Sequence, residues 1–105
     1  MHCFADTLRT LPSIEGIARL ELYASDDQLL DSIENRPGSA GSVAVYYAVT
    51  RADGWLDASA AAHALTLYAE HSADARAHPG KHPNIDRLLA LIANGQRLRV
   101  ESVSR

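Results

Sequence analysis

The chain has 105 residues, of which 47% are hydrophobic and 22% are charged, and its formal net charge is −3 at pH 7. This length and composition are typical of one globular domain with its own core, so residues 1–105 are expected to form a single domain. The acidic balance argues against general nucleic-acid binding, and no apolar run reaches the ~20 residues of a membrane span.

A short helix and a hairpin are predicted first. Apolar residues recur at helical spacing over residues 4–11, and Pro12 stops the pattern. Residues 17–23 alternate between apolar and polar side chains, as in a half-buried strand. Residues 28–34 can return as the second arm of a hairpin. The adjacent residues Leu29 and Leu30 interrupt the alternation there, which predicts a bulge or a ragged edge.

The segment over residues 43–49 fits two structures. Its valines and tyrosines favour a strand, and the valines alternate along it. Its Gly- and Ser-rich start and the glycine at Gly54 also fit a buried helix with a glycine stop. We predict a helix here.

Two more helices and a final strand complete the pattern. Asp57 is the predicted N-cap of an Ala-rich helix over residues 58–77. A further helix follows Pro83 and ends near Gly95, and residues 97–103 alternate like a last strand. The order α-β-β-α-α-α-β predicts an α+β fold, with an antiparallel sheet of about three strands covered on one face by helices.

Residues 36–42 form the first candidate binding loop. Its glycines could turn backbone amides towards a ligand, and the start of the following helix adds partial positive charge, so the loop could hold a phosphate or carboxylate. The alternative is a plain turn in which a serine caps the helix. The residues predicted to bind the ligand are Arg36, Gly38, Ser39, Gly41 and Ser42.

Residues 78–86 form the second candidate loop. Two prolines hold its side chains in one loop shape, so we expect an ordered loop rather than a flexible linker. The alternative is that His82 or Asn84 only caps the next helix. The residues predicted to bind the ligand are His78, Lys81, His82, Asn84 and Asp86.

No metal site or cofactor is predicted. The chain has no zinc-binding motif and only one cysteine, Cys3. A zinc site would need Glu70 or His71 to fold back near His78 or His82. An acid/base pair could form if one of the three histidines His71, His78 and His82 met Glu70 or Asp86.

Three segments resemble those of a small family of uncharacterised bacterial proteins. They are residues 35–42, Tyr68-Ala69-Glu70-His71 and residues 79–86, and the likeness runs over most of the chain. The resemblance implies a free-standing bacterial cytosolic domain, and it implies no activity. A single cysteine and the lack of a signal-peptide pattern also favour the cytoplasm.

Three functions remain open at this point. The first is a binding module for an anionic small molecule, whose site lies where the loops 36–42 and 78–86 meet. The second is a protein–protein adaptor or homodimer that uses an apolar surface around Tyr46, Tyr47 and Trp55. The third is a small enzyme with a His/acid pair. No nucleic-acid or membrane partner is expected.

Overall fold

The structure is a computed structural model that describes residues 3–105. In this part of the chain it contains five helices and four strands, so the α+β prediction is confirmed. The helices are α1 (Phe4–Thr10), α2 (Ala40–Thr50), α3 (Ala58–Leu67), α4 (Glu70–Ala77) and α5 (Pro83–Asn94). The strands are β1 (Ile17–Tyr23), β2 (Leu29–Glu34), β3 (Trp55–Leu56) and β4 (Leu98–Ser104).

The four strands form one antiparallel sheet in the order β2-β1-β4-β3. The predicted hairpin is β1 and β2, and its register shifts where Leu22 pairs with Asp31 and Tyr23 pairs with Leu29. Leu30 is the extra residue, so the irregularity predicted from the adjacent leucines is confirmed. The long β4 pairs with β1, and these two strands form the centre of the sheet.

The prediction of about three strands is wrong by one short strand. Trp55 and Leu56 pair with Arg99 and Leu98 and form β3 at the edge of the sheet. A strand of two residues is too short to show any alternation in the sequence. The cap itself is confirmed, because the Asp57 carboxylate accepts a hydrogen bond from the Ala60 amide at 2.8 Å.

The segment with two interpretations is a helix, as predicted. Four consecutive residues of α2, Val43 to Tyr46, are buried, because the helix contacts β1, β2 and β3 as well as α1 and α3. A helix buried on most sides needs no polar stripe, so its valines and tyrosines give it the composition of a core strand. α2 is the centre of the hydrophobic core.

The predicted helix over residues 58–77 is wrong as one element, because it breaks into α3 and α4. The break is at Ala69, whose φ of 55° lies in a region that L-residues rarely adopt. The Ser72 hydroxyl donates to the Leu65 carbonyl at 2.6 Å and so takes the place of a helical amide. No glycine or proline marks the break in the sequence.

The two faces of the sheet differ in burial. Leu20 and Leu22 of β1 and Val100 of β4 are buried in the core beneath the helices. On the opposite face Arg19 donates hydrogen bonds to Glu21, and Arg99 lies 4.5 Å from the centre of the Tyr23 ring. The cavity described below is lined by residues of the helices and of the segments beside them, so it lies on the helical side of the sheet.

Within residues 3–105, no helix is both long enough and apolar enough to cross a membrane.

Candidate functional site

A cavity of about 400 Å³ lies between the starts of α1, α2 and α5 and the junction of α3 with α4. Its volume is within the range of about 300–1,000 Å³ that small-molecule sites occupy. The lining residues come from segments far apart in the chain: Phe4 and Leu8; Gly38, Gly41 and Ser42; Tyr68 and His71; and residues 81–85. We call this cavity the helix-junction pocket. Both candidate loops contribute to it.

One side of the pocket is the start of α2. The Ala40 amide donates to the Arg36 carbonyl and the Val43 amide donates to the Ser39 carbonyl. Gly41 and Ser42 lie between these two residues. Their backbone amides have no hydrogen-bond partner among residues 3–105. The prediction that a serine caps this helix is wrong, because the Ser39 hydroxyl donates to the Glu34 carbonyl instead.

Ser42 contributes a side chain to the same side of the pocket. The Tyr68 hydroxyl donates a hydrogen bond to the Ser42 hydroxyl oxygen at 2.7 Å. Burial raises the pKa of Tyr68 well above its usual value, so the tyrosine stays protonated and remains the donor. A serine hydroxyl that accepts in this way still has its own hydrogen to donate.

The opposite side of the pocket is the start of α5. His82 occupies the N-cap position and its side chain makes no cap hydrogen bond, so the alternative that His82 or Asn84 caps this helix is wrong. The Ile85 and Asp86 amides both donate to the His82 carbonyl. The backbone amide of Asn84 has no hydrogen-bond partner in the described part of the chain.

The Asn84 side chain is held in place from behind. Its amide oxygen accepts a hydrogen bond from Arg87 at 2.8 Å, and the same guanidinium nitrogen lies 3.1 Å from the Tyr46 hydroxyl. With its oxygen occupied, the Asn84 side-chain nitrogen is left to donate. Arg87 also pairs with Asp31 of β2, so the start of α5 is tied to the sheet.

Asp74 of α4 joins the basic residues of the second loop. Its carboxylate lies 2.6 Å from His82 Nε2 and 2.9 Å from Lys81 Nζ, and His78 is 3.8 Å away. Hydrogen bonds from His82 and then Lys81 lower the pKa of Asp74 from 3.8 to about 2. Asp74 therefore orients two lining side chains without itself lining the pocket.

A row of aromatic rings forms the third side of the pocket. Phe4 stacks on Tyr68 with the ring centres 5.5 Å apart. The His71 ring meets the Phe4 ring edge-on, with the centres 5.0 Å apart. His71 lies in turn 5.5 Å from the His82 ring. We call these four residues the aromatic row.

Gly41 brings the aromatic row close to the unpaired amides. A Cβ atom at Gly41 would lie 3.1 Å from the Phe4 ring, which is tighter than ordinary contact. The main chain of Phe4 is held as well, because its amide donates to Glu70 at 2.7 Å. Hydrogen bonds from its own backbone amide and then from the Phe4 amide lower the pKa of Glu70.

The pocket therefore combines hydrogen-bond donors on two sides with aromatic rings on a third. A family model for proteins described as uncharacterized and conserved in bacteria, DUF2322, matches residues 4–102. The chain belongs to this family. The match includes every residue that lines the helix-junction pocket. Comparison with curated proteins and with solved structures gives no match.

Six of the ten residues predicted to bind a ligand in this DUF2322 chain line the pocket. They are Gly38, Gly41, Ser42, Lys81, His82 and Asn84. The other four lie outside it. The exposed Arg36 and the half-buried Ser39 shape the turn before α2, His78 is exposed beside Asp74, and the Asp86 carboxylate accepts from the Gly80 amide at 2.9 Å.

Residues missed by the sequence reasoning are Asp74 and the hydrophobic members of the pocket, Phe4, Leu8 and Tyr68. Asp74 precedes His78 by one helical turn, and this i, i+4 spacing could have predicted their contact. Phe4 and Tyr68 could not be singled out, because each fits the apolar stripe of its predicted helix.

The neighbours of His71 and His82 bear on the metal and enzyme predictions. His71 does fold back beside His82, but residues 3–105 contain no group of three His, Cys, Asp or Glu side chains able to hold a metal ion. His82 meets Asp74 rather than Glu70 or Asp86. The proposed acid/base pair thus has a different acid from either predicted one.

The apolar surface predicted for an adaptor or homodimer lacks one of its three residues. Tyr46 is fully buried and cannot contribute to a surface, while Tyr47 and Trp55 are half-buried. Arg97 covers the Trp55 ring at 4.0 Å. An adaptor or homodimer stays a prediction, and it would need a surface without Tyr46.

Proposed function

We propose that this chain is a single-domain cytoplasmic binding protein of bacteria, and that it holds a small anionic molecule in the helix-junction pocket. The ligand's anionic group would lie between the starts of α2 and α5. It would accept hydrogen bonds from the Gly41, Ser42 and Asn84 amides, the Ser42 hydroxyl and the Asn84 side-chain nitrogen.

The observation that carries this proposal is the convergence of two uncapped helix starts on one cavity. Three amides at these starts lack partners in residues 3–105, and no acidic side chain is among the described lining residues. Amides at a helix start carry partial positive charge and favour anions. Two such starts facing one cavity would favour an anion more strongly than one.

Lys81 adds less charge than its position suggests. Its ammonium group pairs with Asp74, so the net charge of that pair is near zero.

The direct test is an NMR titration of the ¹⁵N-labelled protein with inorganic phosphate. We expect concentration-dependent shifts of the Gly41, Ser42 and Asn84 amides. The Ala60 amide is an internal control, because it also lies at a helix start but is already bound by Asp57. A saturating shift at the three pocket amides with Ala60 unmoved supports the proposal.

A pair of charge variants makes the test specific. Lys81→Gln leaves Asp74 without its lysine partner and should weaken phosphate binding several-fold. Arg51→Gln removes the same charge from an exposed residue at the far end of α2 and should leave binding unchanged. Equal effects of both variants, or no shift at the pocket amides, would exclude an anion site here.

A further inference from the structure

We infer that the ligand of the helix-junction pocket carries a planar ring joined to its anionic group, as in an aryl phosphate or an aromatic carboxylate. The inference rests on the proposed function, since it assumes that the anion lies at the helix starts. It adds a second recognition element, which is the aromatic row.

The pocket is larger than an inorganic anion needs. A cavity of about 400 Å³ has room for an organic body beside a phosphate or carboxylate group. The remaining wall is apolar and aromatic, with Phe4, Leu8 and Ile85 beside the histidine rings. A purely polar ligand would leave this wall without a partner.

The rings are arranged so that a planar group can join them. Phe4 and His71 are only half-buried, and their edge-on contact continues to His82. Aromatic groups favour offset-stacked or edge-to-face contacts with ring centres 4.5–7 Å apart, and the row already has this spacing of about 5 Å. A planar ligand would extend the same arrangement into the cavity.

The distance between the two recognition elements fits one small molecule. Because Gly41 has no side chain, the Phe4 ring packs directly on the first turn of α2, whose Gly41 and Ser42 amides lack partners. A ring in contact with Phe4 would therefore lie beside an anionic group held at those amides. No flexible linker between ring and anion is required.

The test compares three probes by isothermal titration calorimetry. Methyl phosphate has the anion without the ring, phenyl phosphate has both, and phenol has the ring without the doubly charged group. We expect phenyl phosphate to bind roughly tenfold more tightly than methyl phosphate, because it gains aromatic contact and buries apolar area. Phenol should bind far more weakly than either phosphate.

A matched pair of variants locates the ring. Phe4→Leu keeps an apolar side chain but removes the ring, so the preference for phenyl phosphate should fall several-fold. Leu11→Ala shortens an apolar side chain in the neighbouring segment outside the pocket and should preserve the preference. Nuclear Overhauser contacts between the phenyl protons and Phe4 or His71 in the wild-type protein are expected independently of either variant.

The outcomes separate the two proposals. Equal binding of methyl and phenyl phosphate, or ring contacts elsewhere on the surface, would overturn the planar-ring inference and leave the anion site standing. Binding of phenol as tight as that of phenyl phosphate would overturn the anion site. Failure of both phosphates to bind would remove both proposals.

Discussion

The Tyr46 hydroxyl in α2 donates a hydrogen bond to the Asn84 carbonyl at the start of α5, with an oxygen–oxygen distance of 2.5 Å. The two residues are 38 positions apart in the chain. Tyr46 is buried, so this bond fixes the first turn of α5 against the central helix. It thereby sets the distance between the two sides of the pocket that carry the unpaired amides.

We predict that Tyr46→Phe lowers the free energy of unfolding by about 1–2 kcal/mol, because it removes a buried donor and leaves Arg87 with one acceptor fewer. Urea denaturation measures the change. Tyr47→Phe is the matched control, since the half-buried Tyr47 takes part in neither contact, and it should change stability by less than about 0.5 kcal/mol. A larger effect at Tyr47 than at Tyr46 would contradict this assignment.

The lowered pKa of Asp74 predicts a pH dependence of stability. A carboxylate whose pKa falls on folding stabilises the native state above its unfolded pKa of about 3.8, and this contribution is lost as the pH falls towards 2. The difference in unfolding free energy between wild type and Asp74→Asn should therefore shrink over that range. Asp6→Asn, at an exposed ion pair within α1, should show little such change. A constant difference for Asp74→Asn would refute the pairing.

We predict that residues 78–86 are as rigid as the helices beside them, with backbone order parameters of about 0.8 or higher. The Gly80 amide is bound by Asp86, and the Lys81 amide donates to the His78 carbonyl. Asp86→Ala should lower the order parameters of Gly80 and Lys81, whereas Asp86→Asn keeps an acceptor and should not. Values below ~0.6 in the wild-type loop would show a flexible linker instead.

The contact between Gly41 and Phe4 predicts a non-additive pair of substitutions. In the Phe4→Ala background, Gly41→Ala should stabilise the protein by roughly 0.5 kcal/mol, because alanine favours a helix more than glycine does. With Phe4 present, the new methyl group meets the ring, so the same substitution should stabilise less or destabilise. A double-mutant cycle by urea denaturation measures this coupling. Equal effects in both backgrounds would mean that the ring moves aside without cost.

Much of the fold could be predicted because local patterns and tertiary packing agree. The alternation over residues 17–23 and the helix with a stop at Gly95 are both confirmed, since their apolar faces match the core that they contact. The break at Ala69 could not be predicted, because its backbone geometry is imposed by packing and the sequence offers an uninterrupted run of helix-forming residues. β3 is likewise specified by its pairing with β4 rather than by its own two residues.

The pocket was predictable only on its polar sides. Glycines and prolines mark the loops before α2 and α5, and helix starts follow from them, so the two loops could be singled out. Their meeting depends on long-range contacts such as the Tyr46–Asn84 bond. The aromatic row depends on the pairing of Phe4 with Tyr68, which are 64 positions apart and which look like ordinary core residues in the predicted helices.

Because the pocket walls come from segments centred near residues 6, 40, 70 and 83, no single stretch of the unfolded chain can reproduce them. A ligand of this pocket must therefore bind the native state and ignore the unfolded chain, which couples binding to melting temperature. At a concentration of 100 times its Kd such a ligand stabilises the protein by about 2.7 kcal/mol, which corresponds to a rise in Tm of roughly 10–20 °C for a domain of this size. Thermal-shift screening of a metabolite collection can thus find the natural ligand with no assumption about its chemistry.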